Sequence, residues 1–209
     1  MESNSPENST IINVCIIPKK EVGDECVWLA QFLKSPATRF VLDGQTKFAH
    51  LTLWMARVDK GQISQLLVEA TRILSMEKPF LCKHTGYFAT AGRYYEVSYA
   101  KSAEFLGLQS RLVEGLKEFR LNPKEPYEEA YFVPYTNEQR KNAEETGYDL
   151  VGELYRPHIT LARWHEGQVP KKLPELPVAN LSFDLSTVCI CLATEAGAVY
   201  KMLARHHLV

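Results

Sequence analysis

The chain lacks an excess of charge of either sign: 24 Lys and Arg against 25 Asp and Glu leave a formal charge of -1 over 209 residues. That balance excludes the broad positive surface with which proteins hold long duplex DNA, so a nucleic-acid partner must be short or gripped locally. Cysteine is sparse and odd in number, with five residues (Cys15, Cys26, Cys82, Cys189 and Cys191) and no C-x-x-C spacing. This argues against a disulfide framework and for buried thiols in a reducing compartment. No long apolar run is present either: the stretch from Ile11 to Ile17 stops at Pro18 and follows a polar, acidic start, MESNSPENST. Neither a signal peptide nor a membrane span fits that pattern, and the expected location is cytoplasmic or nuclear, without a membrane partner. Heptads, low-complexity tracts and long charge blocks are also missing. What is present is an ordinary globular composition, 45% apolar and 11% aromatic, enough for a sizeable core.

Read along the chain, residues 1–10 are expected to be a disordered tail and residues 11–208 one bilobal α+β domain. IINVCII reads as a buried strand, and GDECVWLAQFLKS as a helix with Asp24 as its cap. TRFVL and KFAHLTLWMARV read as strands, and DKGQISQLLVEATRILSMEK repeats apolar residues at helical spacing. FLCKHTGYFA and RYYEVSYA form an expected hairpin around Thr90, Ala91 and Gly92, which would close a first lobe near residue 100. The run from Ser102 to Phe119 aligns Phe105, Leu108, Leu112, Leu116 and Phe119 on one helical stripe, ahead of Asn122 and Pro123. From Lys124 to Tyr155 the chain is polar and rich in tyrosine, and reads as an insertion over the groove with one short helix around Asn137 to Glu145. RPHITLARW is then a strand, KKLPELP a proline-spaced connection, and NLSFDLSTVCICLAT with GAVYKMLARHHL a closing hairpin of the second lobe, residues 101–208.

Two strands carry the same short pattern. Phe48-Ala49-His50-Leu51-Thr52-Leu53 returns 108 residues later as Arg156-Pro157-His158-Ile159-Thr160-Leu161. Because side chains alternate along a strand, His50 and Thr52 share one face while Leu51 and Leu53 take the other, and the second copy repeats this. Each strand therefore buries an aliphatic face and presents an imidazole beside a hydroxyl. A threonine hydroxyl donates to a phosphate oxygen, and an imidazole moves a proton at neutral pH. Two such pairs across a cleft supply a general base and a general acid, each transfer contributing about 10²- to 10⁴-fold, with no metal or other cofactor required.

These paired motifs, RPHITLAR above all, resemble the 2H phosphoesterase superfamily, which includes 2',5' RNA ligase-like proteins and 2',3'-cyclic phosphodiesterases. The helix containing LQSRLVEGL and the last hairpin resemble that family's second lobe. The resemblance implies two pseudo-symmetric lobes with antiparallel sheets lining a central groove, helices outside, no cofactor, and an active site of His50, Thr52, His158 and Thr160. It also implies that His158 activates water and His50 protonates the leaving oxygen. The implied partner is a nucleotide or a short RNA end bearing a cyclic phosphate, and the expected state a monomer. The chain departs from the family pattern at Ala49, where proline often precedes the first histidine, and in the 124–155 insertion.

Around the second motif, strict alternation puts Arg156 and Trp164 on the His158 face, as substrate contacts or as caps of a sheet edge, and Arg163 on the opposite face. Tyr87 belongs to the aromatic hairpin and is either a base-stacking platform or core. His84, His165, His206 and His207 lack the motif. Three classes compete with the cyclic phosphodiesterase: a ligase using the same residues, an RNA-binding module without turnover, and a metal-dependent hydrolase with His165 as an added ligand. The last finds no thiols or carboxylates at suitable spacing beside these histidines.

Overall fold

In the computed structural model, residues 8–121, 135–194 and 196–209 are described. Ten strands and four α-helices alternate along them: β1 (Ser9–Ile16), α1 (Lys20–Gln31), β2 (Thr38–Val41), β3 (Leu51–Asp59), α2 (Ile63–Leu74), β4 (Phe80–Cys82), β5 (His84–Ala89), β6 (Tyr94–Tyr99), α3 (Ala103–Leu116), α4 (Asn137–Thr146), β7 (His158–Trp164), β8 (Phe183–Leu185), β9 (Thr187–Ala193) and β10 (Val199–His207). Two antiparallel four-stranded sheets carry the fold, with orders β10-β9-β1-β3 and β2-β7-β6-β5, and β4 pairs β8 in a small third sheet. This is the expected α+β class with antiparallel sheets.

The sheets do not, however, divide the chain at residue 100. The closing hairpin β9–β10 pairs with β1, while β2, β5 and β6, all from the first hundred residues, surround β7. The reason lies in the apolar runs. Val14 of β1 and Ile190 of β9 are register partners and both are fully buried. Such runs bury equally well against any apolar neighbour, so pairing is settled by which arrangement closes the core.

Alternation builds the layers. In β3, Leu51, Leu53, Ala56 and Val58 are buried, and α3 packs on this strand, with α2 touching α3 and β10. The helix α1 packs on β7 of the other sheet. It starts directly after Pro18 and Lys19, four residues before the expected cap; Asp24 lies inside it and ion-pairs with Lys20 one turn back. Likewise β1 starts at Ser9, two residues into the expected tail, because Ser9 and Thr10 pair with Asp59 and Val58.

The expected short helix in the 124–155 insertion is α4. A reciprocal capping box of Thr136 and Gln139 starts it, and left-handed Gly147 (φ 84°) ends it. Residues 124–134 lie outside the described residues. The remainder of the insertion is moored to the body rather than hanging over it: the Trp54 indole donates to the Thr146 carbonyl at 2.8 Å, and Arg120 Nε to the Glu144 carbonyl at 2.8 Å. Tyr148 and Tyr155 are buried.

Candidate active site

The first motif follows a loop held by one carboxylate. Asp43 accepts from the backbone N–H groups of Gln45, Thr46 and Lys47 and from the Thr46 hydroxyl, and these bonds hold its pKa well below the usual carboxylate range. Gly44, with φ 71°, permits the turn. The chain then leads into His50, the residue just before β3, whose Nδ1 lies 2.9 Å from the Phe48 carbonyl. In the second motif His158 opens β7, and its Nδ1 lies 2.7 Å from the Arg156 carbonyl. A carbonyl only accepts, so in both rings Nδ1 carries the hydrogen and Nε2 is left as the atom that exchanges protons. The same bond to the residue two positions back orients both histidines.

β3 and β7 touch one another across the two sheets. Half-buried His50 has its pKa pushed below the ordinary imidazole value, first by burial and then by the charge of His158; the Phe48 and Gly197 carbonyls oppose this. His158 thus lies near enough to His50 for its charge to act on it, although one opens β7 and the other just precedes β3 of the other sheet. All four motif residues are half-buried, while Leu51, Leu53, Ile159 and Leu161 are fully buried, as alternation requires.

Two buried polar residues support the site, and nothing local in the sequence singles them out. Asn13, at 0% exposure in the middle of β1, donates from Nδ2 to Thr52 Oγ1 at 3.1 Å and reaches the Gly197 carbonyl at 3.4 Å. With its oxygen already accepting, the Thr52 hydroxyl hydrogen is free to donate elsewhere. On the other side Glu96, 3% exposed in β6, stands opposite Thr160. It accepts from Arg156 at 2.7 Å, and its second oxygen lies 3.6 Å from His158 Nε2. Tyr155 links the halves, donating its hydroxyl to the Thr52 carbonyl at 3.3 Å. Asp149, after α4, is close enough for His158 to act on its carboxyl, which burial pushes up.

The flanking candidates require correction. The pairing of β6 with β7 skips a residue: Tyr95 opposes Ala162 while Glu96 opposes Thr160, so β7 bulges at Leu161. An extra residue reverses the alternation beyond it. Trp164, expected on the His158 face, is therefore buried in the core, edge-on to Tyr95 at 6.0 Å. Arg163, expected on the opposite face, stacks its guanidinium 4.5 Å over Tyr94, two residues from Glu96, and bonds the Gly92 carbonyl. Its side chain therefore lies on the Glu96 side of the strand, although buried. Arg156 is where alternation puts it, but is committed to Glu96 and lies 4.7 Å over the exposed Phe88 ring. Tyr87 belongs to the core side: it stacks on Tyr95, and its hydroxyl donates to the Pro177 carbonyl at 3.2 Å.

Among the other histidines, His84 contacts the Tyr87 and Tyr99 rings, His206 and His207 bond Thr71 and Thr187, and His165 is exposed. Among the described residues no three His, Cys, Asp or Glu side chains gather as a metal ion would need, and no helix is long and apolar enough to cross a membrane.

No protein-family model matches the chain, and no curated protein matches its sequence. Solved structures do. E. coli LigT in its apo form is 17% identical over 96% of this chain and 98% of its own, with a TM-score of 0.63. The E. coli LigT complex with 3'-AMP covers 99% of its own chain at the same identity and TM-score. TT0787 of Thermus thermophilus is 19% identical over 95% of this chain and 97% of its own, with a TM-score of 0.61. A further solved structure, described as a phosphoesterase, is 17% identical over 96% of this chain and 98% of its own, with a TM-score of 0.63. At such identities the likeness is one of architecture, and this chain has the fold of LigT over almost its full length.

Proposed function

We propose that the chain is a metal-independent phosphodiesterase of the 2H type, in which His50 and His158 are general acid and base and Thr52 and Thr160 hold the phosphate. The observation that carries this reading is the matched preparation of two imidazoles at the starts of two touching strands, His50 just before β3 and His158 opening β7. Each has its Nδ1 hydrogen tied to the carbonyl two residues before it, leaving Nε2 of both for proton transfer. The Thr52 hydroxyl, accepting from Asn13, keeps its hydrogen for an anionic oxygen.

The substrate class follows from the chemistry. A 2',3'-cyclic phosphate on a nucleotide or short RNA end places its leaving oxygen on the ribose, where it needs only a proton to depart. The near-neutral charge suits such a short ligand better than a long duplex. LigT has been crystallised with 3'-AMP and with ATP, which supports a nucleotide-sized ligand here. Ligation is the reverse reaction on the same residues.

The deciding experiment is product analysis with 2',3'-cyclic nucleotides, 2',5'-linked oligonucleotides and cyclic-ended RNA, with and without EDTA. Turnover should survive EDTA and fall by about 10²- to 10⁴-fold in His50→Ala and in His158→Ala. Full activity in either variant would overturn the assignment, and abolition by EDTA would favour a metal-dependent hydrolase. Tight binding without product would favour an RNA-binding module.

A further inference from the structure

Phe88 of β5 is 45% exposed, yet it stands on the wall of the site. In the antiparallel pairing it lies opposite Glu96, which in turn lies opposite Thr160, so all three share one face of the sheet. The Arg156 guanidinium rests 4.7 Å over the Phe88 ring and donates to Glu96 at 2.7 Å. Its plane is thus set by a ring beneath it and by a carboxylate that is itself 3% exposed. The other Glu96 oxygen lies 3.6 Å from His158 Nε2. Guanidinium and proton-transfer atom therefore stand at the two ends of one carboxyl group, a separation that a single ribose spans. The same sheet holds a second pair of this kind, Arg163 at 4.5 Å over Tyr94, but Arg163 is 1% exposed and that pair is sealed in the protein. Packing accounts for the sealed pair. The Arg156 side chain keeps 35% of its surface, and the open pair presents a flat cationic plane beside the phosphate site.

We propose that the stack of Arg156 on Phe88 is a platform for the base of the nucleotide that carries the cyclic phosphate, and that it selects a purine. This rests on the phosphodiesterase reading above. Bases stack on aromatic rings and on guanidinium planes, because every base has a π-face. A purine covers more of such a plane than a pyrimidine does, and the gain grows with the apolar area removed from water. The cation between two π-faces adds an electrostatic attraction to each. Glu96 and Phe88 fix the guanidinium before the base arrives, so little side-chain freedom is lost on binding. With the phosphate held between the two motifs, the ribose reaches across the Glu96 carboxylate and the base lies on Arg156. The platform makes and breaks no bond. It acts on affinity and on the choice of base, and the chemical step stays with the motif residues.

The test uses the full chain and two readouts. In steady-state kinetics on the 2',3'-cyclic phosphates of adenosine and cytidine, the wild-type protein should have the higher kcat/KM on the adenosine ester. Phe88→Ala should lose about 5- to 150-fold on that ester, entering mainly through KM, and less on the cytidine ester, since stacking one base is worth that much. The second readout is binding, followed by NMR titration with 3'-AMP and with inorganic phosphate. Phe88→Ala should weaken 3'-AMP by a similar factor and leave inorganic phosphate, which has no base, at its wild-type affinity; that retained binding also reports a folded site. Phe88→Leu, which still packs beneath Arg156 but has no ring, should behave like Phe88→Ala, and Phe88→Trp should restore the preference for adenosine. A wild-type protein indifferent to the base, an adenosine preference that survives Phe88→Ala, or a loss of inorganic phosphate equal to that of 3'-AMP would overturn the proposal. Wild-type protein that turns over neither ester, yet binds 3'-AMP in a manner that depends on the Phe88 ring, would instead refute the phosphodiesterase reading and leave the platform standing.

Discussion

Replacing Thr52 with valine keeps the shape of the side chain and removes one oxygen, and the structure fixes the consequence for Asn13. Its Nδ2 donates to Thr52 Oγ1 at 3.1 Å, its Oδ1 has no partner among the described residues, and the residue is 0% exposed. In Thr52→Val the amide nitrogen retains only the Gly197 carbonyl at 3.4 Å and the Met55 sulfur at 3.9 Å. Leaving a buried donor unsatisfied costs about 1–3 kcal/mol, and the surviving long contacts put this case in the lower half, about 1–2 kcal/mol. For a chain of this size that lowers Tm by about 2–8 °C. Activity should fall independently: a hydrogen bond to a charged oxygen contributes about 1.5–3 kcal/mol, or about 10- to 150-fold in kcat/KM on a 2',3'-cyclic nucleotide. The double variant Asn13→Leu/Thr52→Val separates the two effects. With both polar partners gone neither side chain of the pair is left unsatisfied, so urea unfolding should recover about 1 kcal/mol relative to the summed single variants, while activity stays low. Stability costs that simply add, to within about 0.5 kcal/mol, would refute the Asn13–Thr52 link.

Acid should destabilise the fold through its buried imidazoles. The pKa of His50 lies below 6.5, lowered first by burial, and His84 and His206 are lowered for the same reason. The unfolded chain thus binds more protons than the native one, and stability falls as pH drops from about 6.5 toward the lowered native values. His50→Gln should give a shallower fall in urea-unfolding free energy between about pH 7 and pH 5.5, and an unchanged slope would contradict the burial account. Gly147→Ala should cost about 2–5 kcal/mol, because its φ of 84° disfavours an alanine and the new methyl would sit 2.5 Å from the Ala56 side chain. A thermal melt within about 2 °C of wild type would show that α4 is not fitted against β3 as described. Trp54→Phe, which loses the indole bond to the Thr146 carbonyl, should cost about 1–2 kcal/mol and increase hydrogen exchange in α4 before β3.

Much of the site was legible in the chain itself. The spacing of His50 with Thr52 and of His158 with Thr160 is enough to put an imidazole and a hydroxyl on one face of a strand, since alternation is a local property of the backbone. The stripes of α2 and α3, the β5–β6 hairpin and the helix beginning at Asn137 were readable for the same reason: periodicity and capping act within a few residues. Tertiary structure decided the rest. Which strands pair is a contest among similar apolar runs, so only the closed core reveals that β9 and β10 join β1 while β2, β5 and β6 surround β7. A bulge depends on the neighbouring strand, so Trp164 and Arg163 exchanged faces without any mark in RPHITLARW. Asn13 and Glu96 lie 37 and 62 residues from His50 and His158 in the chain. A buried polar side chain acquires its meaning from the group it meets, and that meeting is made by pairing β1 with β3 and β6 with β7.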